Sequence, residues 1–470
     1  MSDISQNKMG TKPILPLLIG MSVPAMFSML IQALYNVVDS IFVARIGSDA
    51  LSAVSLAYPL QLVLISFAIG TAIGVNSLIA RRLGAKNYED ANSAATHGII
   101  LAFLGWLVFV VVGLLFSKPF ISLFTTNEKI VNYGTQYLTI VLFASFGLFI
   151  AAMGEKILQA TGNMIFPMVS QLIGAITNII LDPIFIFGLF GFPKLEVIGA
   201  AVATVIGQIV SMIFILIVLF TKDHEVKIMI RKFKFSLRIV KDIYAVGFPA
   251  IIMQSIGSIM VSGINAILSM AKIAAITCET YINIFGVYFK LQSFVFMPVF
   301  GLNQGTSPII GYNYGARNKS RMFKAFSIAL IISCSIMGLG LIAFQFASGW
   351  ILSLFDASEL MMELGIPTLK IISLSFIFAG AGIMFSALYQ AIGKGFYSMM
   401  LSICRQLVML LPIAFILSKV DIALMWYAFP ISECGCLILA LIFFMRLRKR
   451  EFKKLDEPFE STKKLTADNQ

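Results

Sequence analysis

The sequence predicts an all-α integral membrane protein with twelve transmembrane helices in two six-helix lobes, related by a pseudo-two-fold axis along the membrane normal. Three observations predict it. The 470 residues are 59% hydrophobic and 12% charged, with mean hydropathy +0.92, a balance that soluble globular domains do not have. Apolar runs long enough to cross ~30 Å of hydrocarbon recur along almost the whole chain. The chain also repeats itself at an offset near half its length.

The spans follow in order. Runs at 14–43, 52–80, 93–116, 129–158, 164–190 and 197–220 form the first lobe. Runs at 243–270, 273–300, 320–345, 364–391, 396–418 and 422–446 form the second. Several runs touch, so the count also rests on charge. With the N-terminus inside, the inner segments hold Lys8 and Lys12, Arg81, Arg82 and Lys86, then seven basic residues from Lys222 to Lys241. Arg317, Lys319, Arg321, Lys324 and Lys394 follow, and eight more lie in the tail from Arg446. The outer segments hold only Arg45, Lys118, Lys129, Lys194, Lys272 and Lys419. This is the positive-inside pattern, and an odd number of spans would break it. The domains are therefore a cytoplasmic N-terminus (1–13), a first lobe (14–220), a basic cytoplasmic linker (221–242), a second lobe (243–446) and a basic cytoplasmic tail (447–470). The net charge of +12 reads as orientation and not as nucleic-acid binding. The polar start, Met1 to Lys12, and the long first run argue against a cleavable signal peptide.

The repeat is explicit. Gly70, Gly74, Gly84-Ala85 and Asn87 recur as Gly301, Gly305, Gly315-Ala316 and Asn318, each 231 positions on. Gln159-Ala160-x-Gly162 recurs as Gln390-Ala391-x-Gly393 at the same offset, and Pro24-Ala25 recurs as Pro249-Ala250 at 225. Six spans per repeat is even, so the lobes share one orientation, as in parallel-repeat transporters. The glycines also permit close helix approach.

The repeat fails at two acids. Asp39 and Asp182 each lie inside an apolar run, at a cost of about 2.5–3.5 kcal/mol on insertion scales. Their counterparts are Ile264, with Asn265 adjacent, and Ile413. Span one puts Gln32, Tyr35, Asn36 and Asp39 on one stripe, and span five puts Gln171, Asn178 and Asp182 on another. Pro183 frees the Ile179 carbonyl and predicts a kink beside the acid. Span six offers Thr204 and Gln208. If these faces converge, they form a small cavity of oxygens and amides around two carboxyls. Two such charges in low dielectric cannot both stay ionised. The site then takes up H⁺, or the same oxygens hold Na⁺ at Asp39, Asn178, Asp182 and Thr204. The structural alternative is that each acid ties helices together locally.

The second lobe differs. Span eight aligns Glu279, Asn283 and Lys290, which either pair structurally (Lys290 with Glu279 or Glu433) or line a further polar cavity. Glu155, Lys156 and Arg405 lie nearer the inner face and read as snorkelling or structural. The five cysteines lack metal-ligand spacing. His97 and His224 fall at inner loops, which leaves ion coupling to carboxylates. The 41 phenylalanines and 24 methionines suit a pliable apolar surface, but most must face lipid or neighbouring helices.

Several segments resemble one family. The Asp39 segment, Gly74-Val75-Asn76-x-Leu78-Ile79-Ala80-Arg81-Arg82-Leu83-Gly84-Ala85, Gln159-Ala160-Thr161-Gly162-Asn163 and Asn178-x-x-x-Asp182-Pro183 are similar to MATE (multidrug and toxin extrusion) transporters over residues 14–446. The acids resemble those of the DinF-like and MepA-type bacterial branch. That resemblance implies a V-shaped twelve-helix fold and an N-lobe cation site at Gln32, Asp39, Asn178, Asp182 and Thr204. The NorM-like branch carries acids near Gln254 and within Ala379–Gly382, where this chain has none.

The expected function is export of amphipathic organic cations by H⁺ or Na⁺ antiport. The setting is a bacterial inner membrane, with the protein a monomer, surrounding lipids its other contact and no cofactor. The alternatives are a lipid-linked oligosaccharide flippase, which Lys290 and Arg405 would suit, and an integral-membrane enzyme. No nucleophile–base cluster, histidine pair or phosphate loop supports the enzyme.

Overall fold

A computed structural model describes residues 7–270, 275–353, 355 and 358–456, leaving out the side chains of Asn36, Lys232, Ala275 and Lys454. Ten long apolar helices and two bent pairs give twelve spans. The first lobe contains α1 (Ile14–Ala44), α2 (Ser48–Gly84), α3 (Tyr88–Ser122), α4 (Glu128–Phe143 and Phe146–Ala160), α5 (Ile165–Phe187) and α6 (Val197–Thr221). The second contains α7 (Leu237–Ser269), α8 (Ala275–Gly315), α9 (Lys319–Ser353), α10 (Glu359–Ser373 and Phe376–Ala391), α11 (Gly395–Val420) and α12 (Ala428–Arg450).

The repeat is visible in local structure. α4 bends by 45° and α10 by 43°. At each bend a serine hydroxyl donates to the carbonyl three residues back, Ser145 to Leu142 at 2.8 Å and Ser375 to Ile372 at 2.6 Å. The hydroxyl competes with the helical ladder where the axis turns. In α11 the stretch Cys404–Leu410 winds as a π-helix before Pro412.

α8 differs most from its sequence limits. It continues to Gly315, well past residue 300, because Gly305 and Pro308 lie within the helix and do not end it. The repeated glycines mark where the lobes cross. A Cβ on Gly70 of α2 would strike Ile251 of α7, and one on Gly301 of α8 would strike Met26 of α1. Ile251 and Met26 are themselves repeat partners. Gly84 lies against the Tyr312 backbone and Gly315 against that of Arg81, again as partners. The glycines let backbones approach where any side chain would hold them apart. All these crossings lie in the half of the molecule nearer the basic segments.

That end is also strapped. Residues 7–12 cross the seam with Met9 fully buried. Asn313 donates to the Met9 carbonyl at 3.1 Å, and Arg321 donates to those of Met9 and Lys12 at 3.1 and 2.7 Å. Asn7 donates to Glu225 of the linker at 2.7 Å. The linker lies along α3, where the amides of Met229 and Ser236 donate to Thr96 Oγ1 and His97 Nε2. His97 is thus a buried structural residue.

Candidate functional site

The halves of α1, α5 and α6 farther from the basic segments bring together the acids that break the repeat. Asp39 lies about 20 Å along α1 from the seam at Met26. Its carboxyl faces that of Asp182 within hydrogen-bonding reach. Asp182 has no exposed surface, and neither of its oxygens receives a donor from the described residues. Asp39 Oδ1 and Asn178 Oδ1 are buried in the same condition. Asn178 spends its Nδ2 on Thr204 Oγ1 at 3.2 Å, which fixes the amide with its oxygen left over. The Tyr35 hydroxyl lies beside Thr204 and near both acids. No basic side chain forms an ion pair with either carboxyl among the described residues.

Buried acceptors without donors are costly unless something positive or proton-bearing meets them. Two facing carboxyls and an amide oxygen have the chemistry to receive one small cation. A proton shared by the pair meets that demand, and so does an alkali ion with hard-oxygen preference. Among the described residues no group of three or more His, Cys, Asp or Glu side chains is arranged to hold a metal ion.

The structure joins Asp39, Asp182, Asn178, Thr204 and Tyr35. Gln32 lies on the same stripe but is exposed, with no hydrogen bond among the described residues. The side chain of Asn36 lies outside the described residues. Gln171 is corrected: its Nε2 donates to Glu155 Oε2 at 2.8 Å, about 16 Å along α5 from Asp182. Pro183 sits inside α5 without ending it, and the helix stops at Gly188 with φ +73°.

Two expectations for the charged residues are also corrected. Glu155 and Lys156 do not snorkel. Glu155 is buried, and the Lys156 ammonium donates to Gln159 Oε1 at 2.7 Å and, across the seam, to Gln304 Oε1 of α8 at 2.8 Å. Lys290 does not pair with Glu433, because Glu433 accepts from Arg405 at 3.2 Å. Lys290, Asn283 and Glu279 are exposed and make no mutual ion pair. They lie on the side of α8 opposite Tyr288 and Phe285, which pack into the second lobe. Lys290 shares a face with Gly301, eleven residues on and about 20° around the helix. That face meets α1 at Gly301. It is separate from the acid pair.

Sequence reasoning missed Tyr137 of α4, which is buried near Asp39 with its hydroxyl beside Gln61 of α2. Its spacing of four from Tyr133 was the only signal, and tyrosines near span ends usually mark the membrane interface.

Residues 24–184 and 255–416 match the family model described as MatE. The chain is 27% identical over 431 residues to the multidrug export protein MepA of Staphylococcus haemolyticus, covering 91% of this chain and 93% of that one. It is 28% identical over 441 residues to the probable multidrug resistance protein YoeA of Bacillus subtilis, with the same coverage of each chain. Among solved structures, an outward-facing multidrug resistance MATE family transporter of the MOP superfamily superposes with TM-score 0.88 at 28% identity, over 96% of this chain and 99% of that one. The matched segments run through both lobes, and the chain belongs to the MATE transporter family, on its MepA-type branch.

Proposed function

We propose that this protein is a multidrug efflux transporter that exports amphipathic organic cations in exchange for H⁺ or Na⁺. It sits in a bacterial inner membrane with both termini cytoplasmic. The observation that carries the reading is the facing of Asp39 and Asp182, the first partly and the second fully buried, without a cationic partner. The basic ends of the spans support the orientation. With the seam closed at the basic end, the acid pair lies in the half that faces outward and loads its ion there. Neutralising the pair removes the charge that holds a cationic cargo and changes the hydrogen bonding between α1, α5 and α6. Rocking of the lobes about the glycine crossings then exposes the site inside. One pH unit supplies about 1.4 kcal/mol, a tenfold cargo gradient for one-for-one exchange.

Efflux of ethidium from proteoliposomes, with ΔpH and ΔNa⁺ imposed separately, tests the reading. One gradient drives the wild type, and neither drives Asp39→Asn or Asp182→Asn. Normal gradient-driven efflux by both variants refutes the proposal. Lys290, a cation exposed within a span, favours a second reading: a flippase that meets a lipid-linked phosphate there. Flipping of a labelled lipid-linked oligosaccharide in the same vesicles separates the two.

A further inference from the structure

The acid pair explains loading but not release, which requires a path to the other end of the lobe. A file of polar side chains runs there between α5 and α6. Its first rung is Asn178 to Thr204, one turn below Asp182. Its second is the mutual hydrogen bond of Ser170 and Ser211 at 2.6 Å. Its last is Gln171 to Glu155 at 2.8 Å. Thr204, Gln208 and Ser211 share one face of α6 at spacings of four and three. The oxygens Asn178 Oδ1, Gln208 Oε1 and Gln171 Oε1 are buried with no donor among the described residues. Each is an acceptor to which a water can donate.

Packing does not require this file, because the other lobe builds the same helix pairs without it. Its repeat partners, at 231 further along, are Met409, Gly435, Leu439, Ile442, Leu401, Ser402 and Ser386. The terminal residue is unusual in itself. Glu155 is a buried carboxylate whose ammonium neighbour Lys156 turns away to Gln159 and Gln304. Glu155 forms no ion pair among the described residues. Facing this turn of α4, α5 presents Ser170 and Gln171, α6 presents Ile215, α3 presents Gly98, α2 presents Asn76 and α8 presents Gln304, none of them charged.

We infer that Glu155 is a second proton-binding site, the inner acceptor of a relay that carries H⁺ from the Asp39–Asp182 pair toward the basic end. The inference rests on the antiport reading and names its ion as the proton, since rungs closed by direct side-chain hydrogen bonds hand on a proton by exchanging those bonds, whereas Na⁺ would have to displace them. The O–H bond of the pair breaks at Asp182, and one forms at Glu155. Thr204, Ser211 and Ser170 hand the proton on, while the amides hold the intervening water in place. No electrons move. Glu155 discharges to the inside when the seam at Lys156 and Gln304 parts.

The test uses full-length protein in proteoliposomes with a pH dye inside. Two rates are read for ethidium: exchange at equal concentrations with no gradient, and accumulation driven by ΔpH. Glu155→Gln is expected to keep exchange while ΔpH-driven accumulation and proton movement fall together by about tenfold or more. Glu155→Asp should restore coupling with a shifted pH profile, which a merely structural role would not do. Wild-type coupling in Glu155→Gln, with Asp182→Asn inactive, overturns the relay and leaves the acid pair standing. Drive of the wild type by ΔNa⁺ alone overturns the relay and leaves antiport standing. Loss of exchange in both Glu155 variants marks the residue as structural and also overturns the relay.

Discussion

The two lobes share a frame but not an interior. Gly84 and Gly315, the bends in α4 and α10, and the close approaches of Gly70 and Gly301 are one set of devices used twice. Inside the lobes the same positions carry different chemistry. Asn178 bonds Thr204 in the first lobe, and their repeat partners, Met409 and Gly435, meet as a methionine laid on a glycine. Tyr35 and Asp39 correspond to Met260 and Ile264, and Asp182 corresponds to Ile413. Gly174, which lets α5 approach Gly207 of α6, corresponds to Arg405, which is held by Glu433. The comparison teaches that the architecture packs stably with either filling. The proposed function assigns the polar filling of the first lobe to ion coupling, and it gives the ion pair of the second no part in it.

The largest expected effect separates the acids from their counterparts. Asp182→Asn should reduce gradient-driven efflux to that of empty vesicles, while Ile413→Val stays near wild type. Equal losses would end the functional asymmetry. Next comes the ion pair of the second lobe. Arg405→Ala strands the Glu433 carboxylate among apolar helices and should destabilise the protein by about 3 kcal/mol, measured by thermal unfolding in detergent. The double variant Arg405→Met/Glu433→Leu should recover most of that, as a pair replaced by apolar groups of similar volume does. A double variant as unstable as the single one would point to a further role for the pair.

The shared frame predicts equal effects. Gly84→Leu and Gly315→Leu each push a side chain into the opposite lobe's backbone and should cost about 1–3 kcal/mol, comparably for both. A large inequality would break the pseudo-symmetry of the seam.

The smallest effect concerns the strap. Burial raises the pKa of Glu225 above the ordinary glutamate range, although Asn7 and Lys8 partly offset it. The folded state therefore holds its proton more tightly than the unfolded one. Strap docking is strongest below the free glutamate value and weakens as pH rises from that value through the raised one. The protection of the Met9 amide, measured relative to its intrinsic exchange rate at each pH, should fall over that interval, and Glu225→Gln should leave that protection independent of pH.

The two-lobe plan, the repeat and the acid pair were all legible in the chain, because hydrocarbon thickness, charge bias and the cost of a buried carboxylate act through local composition. α8 is longer than its apolar run, because Gly305 and Pro308 stand inside the helix and neighbouring helices satisfy what a lone helix could not. The partners of charged residues were misread for the same reason. Lys290, Glu433 and Arg405 lie on three different spans, and periodicity gives each a face but not a neighbour.

Hydropathy, charge and repetition by themselves determined how many spans there are and where ionisable groups are too expensive to be accidental. Only tertiary packing decided that Asp39 meets Asp182, that Glu155 turns inward while Lys156 turns to Gln304, and that Arg405 finds Glu433. The physical reason is range: insertion into a membrane is priced residue by residue, whereas an ion site depends on side chains from separate helices arriving within one hydrogen-bond length.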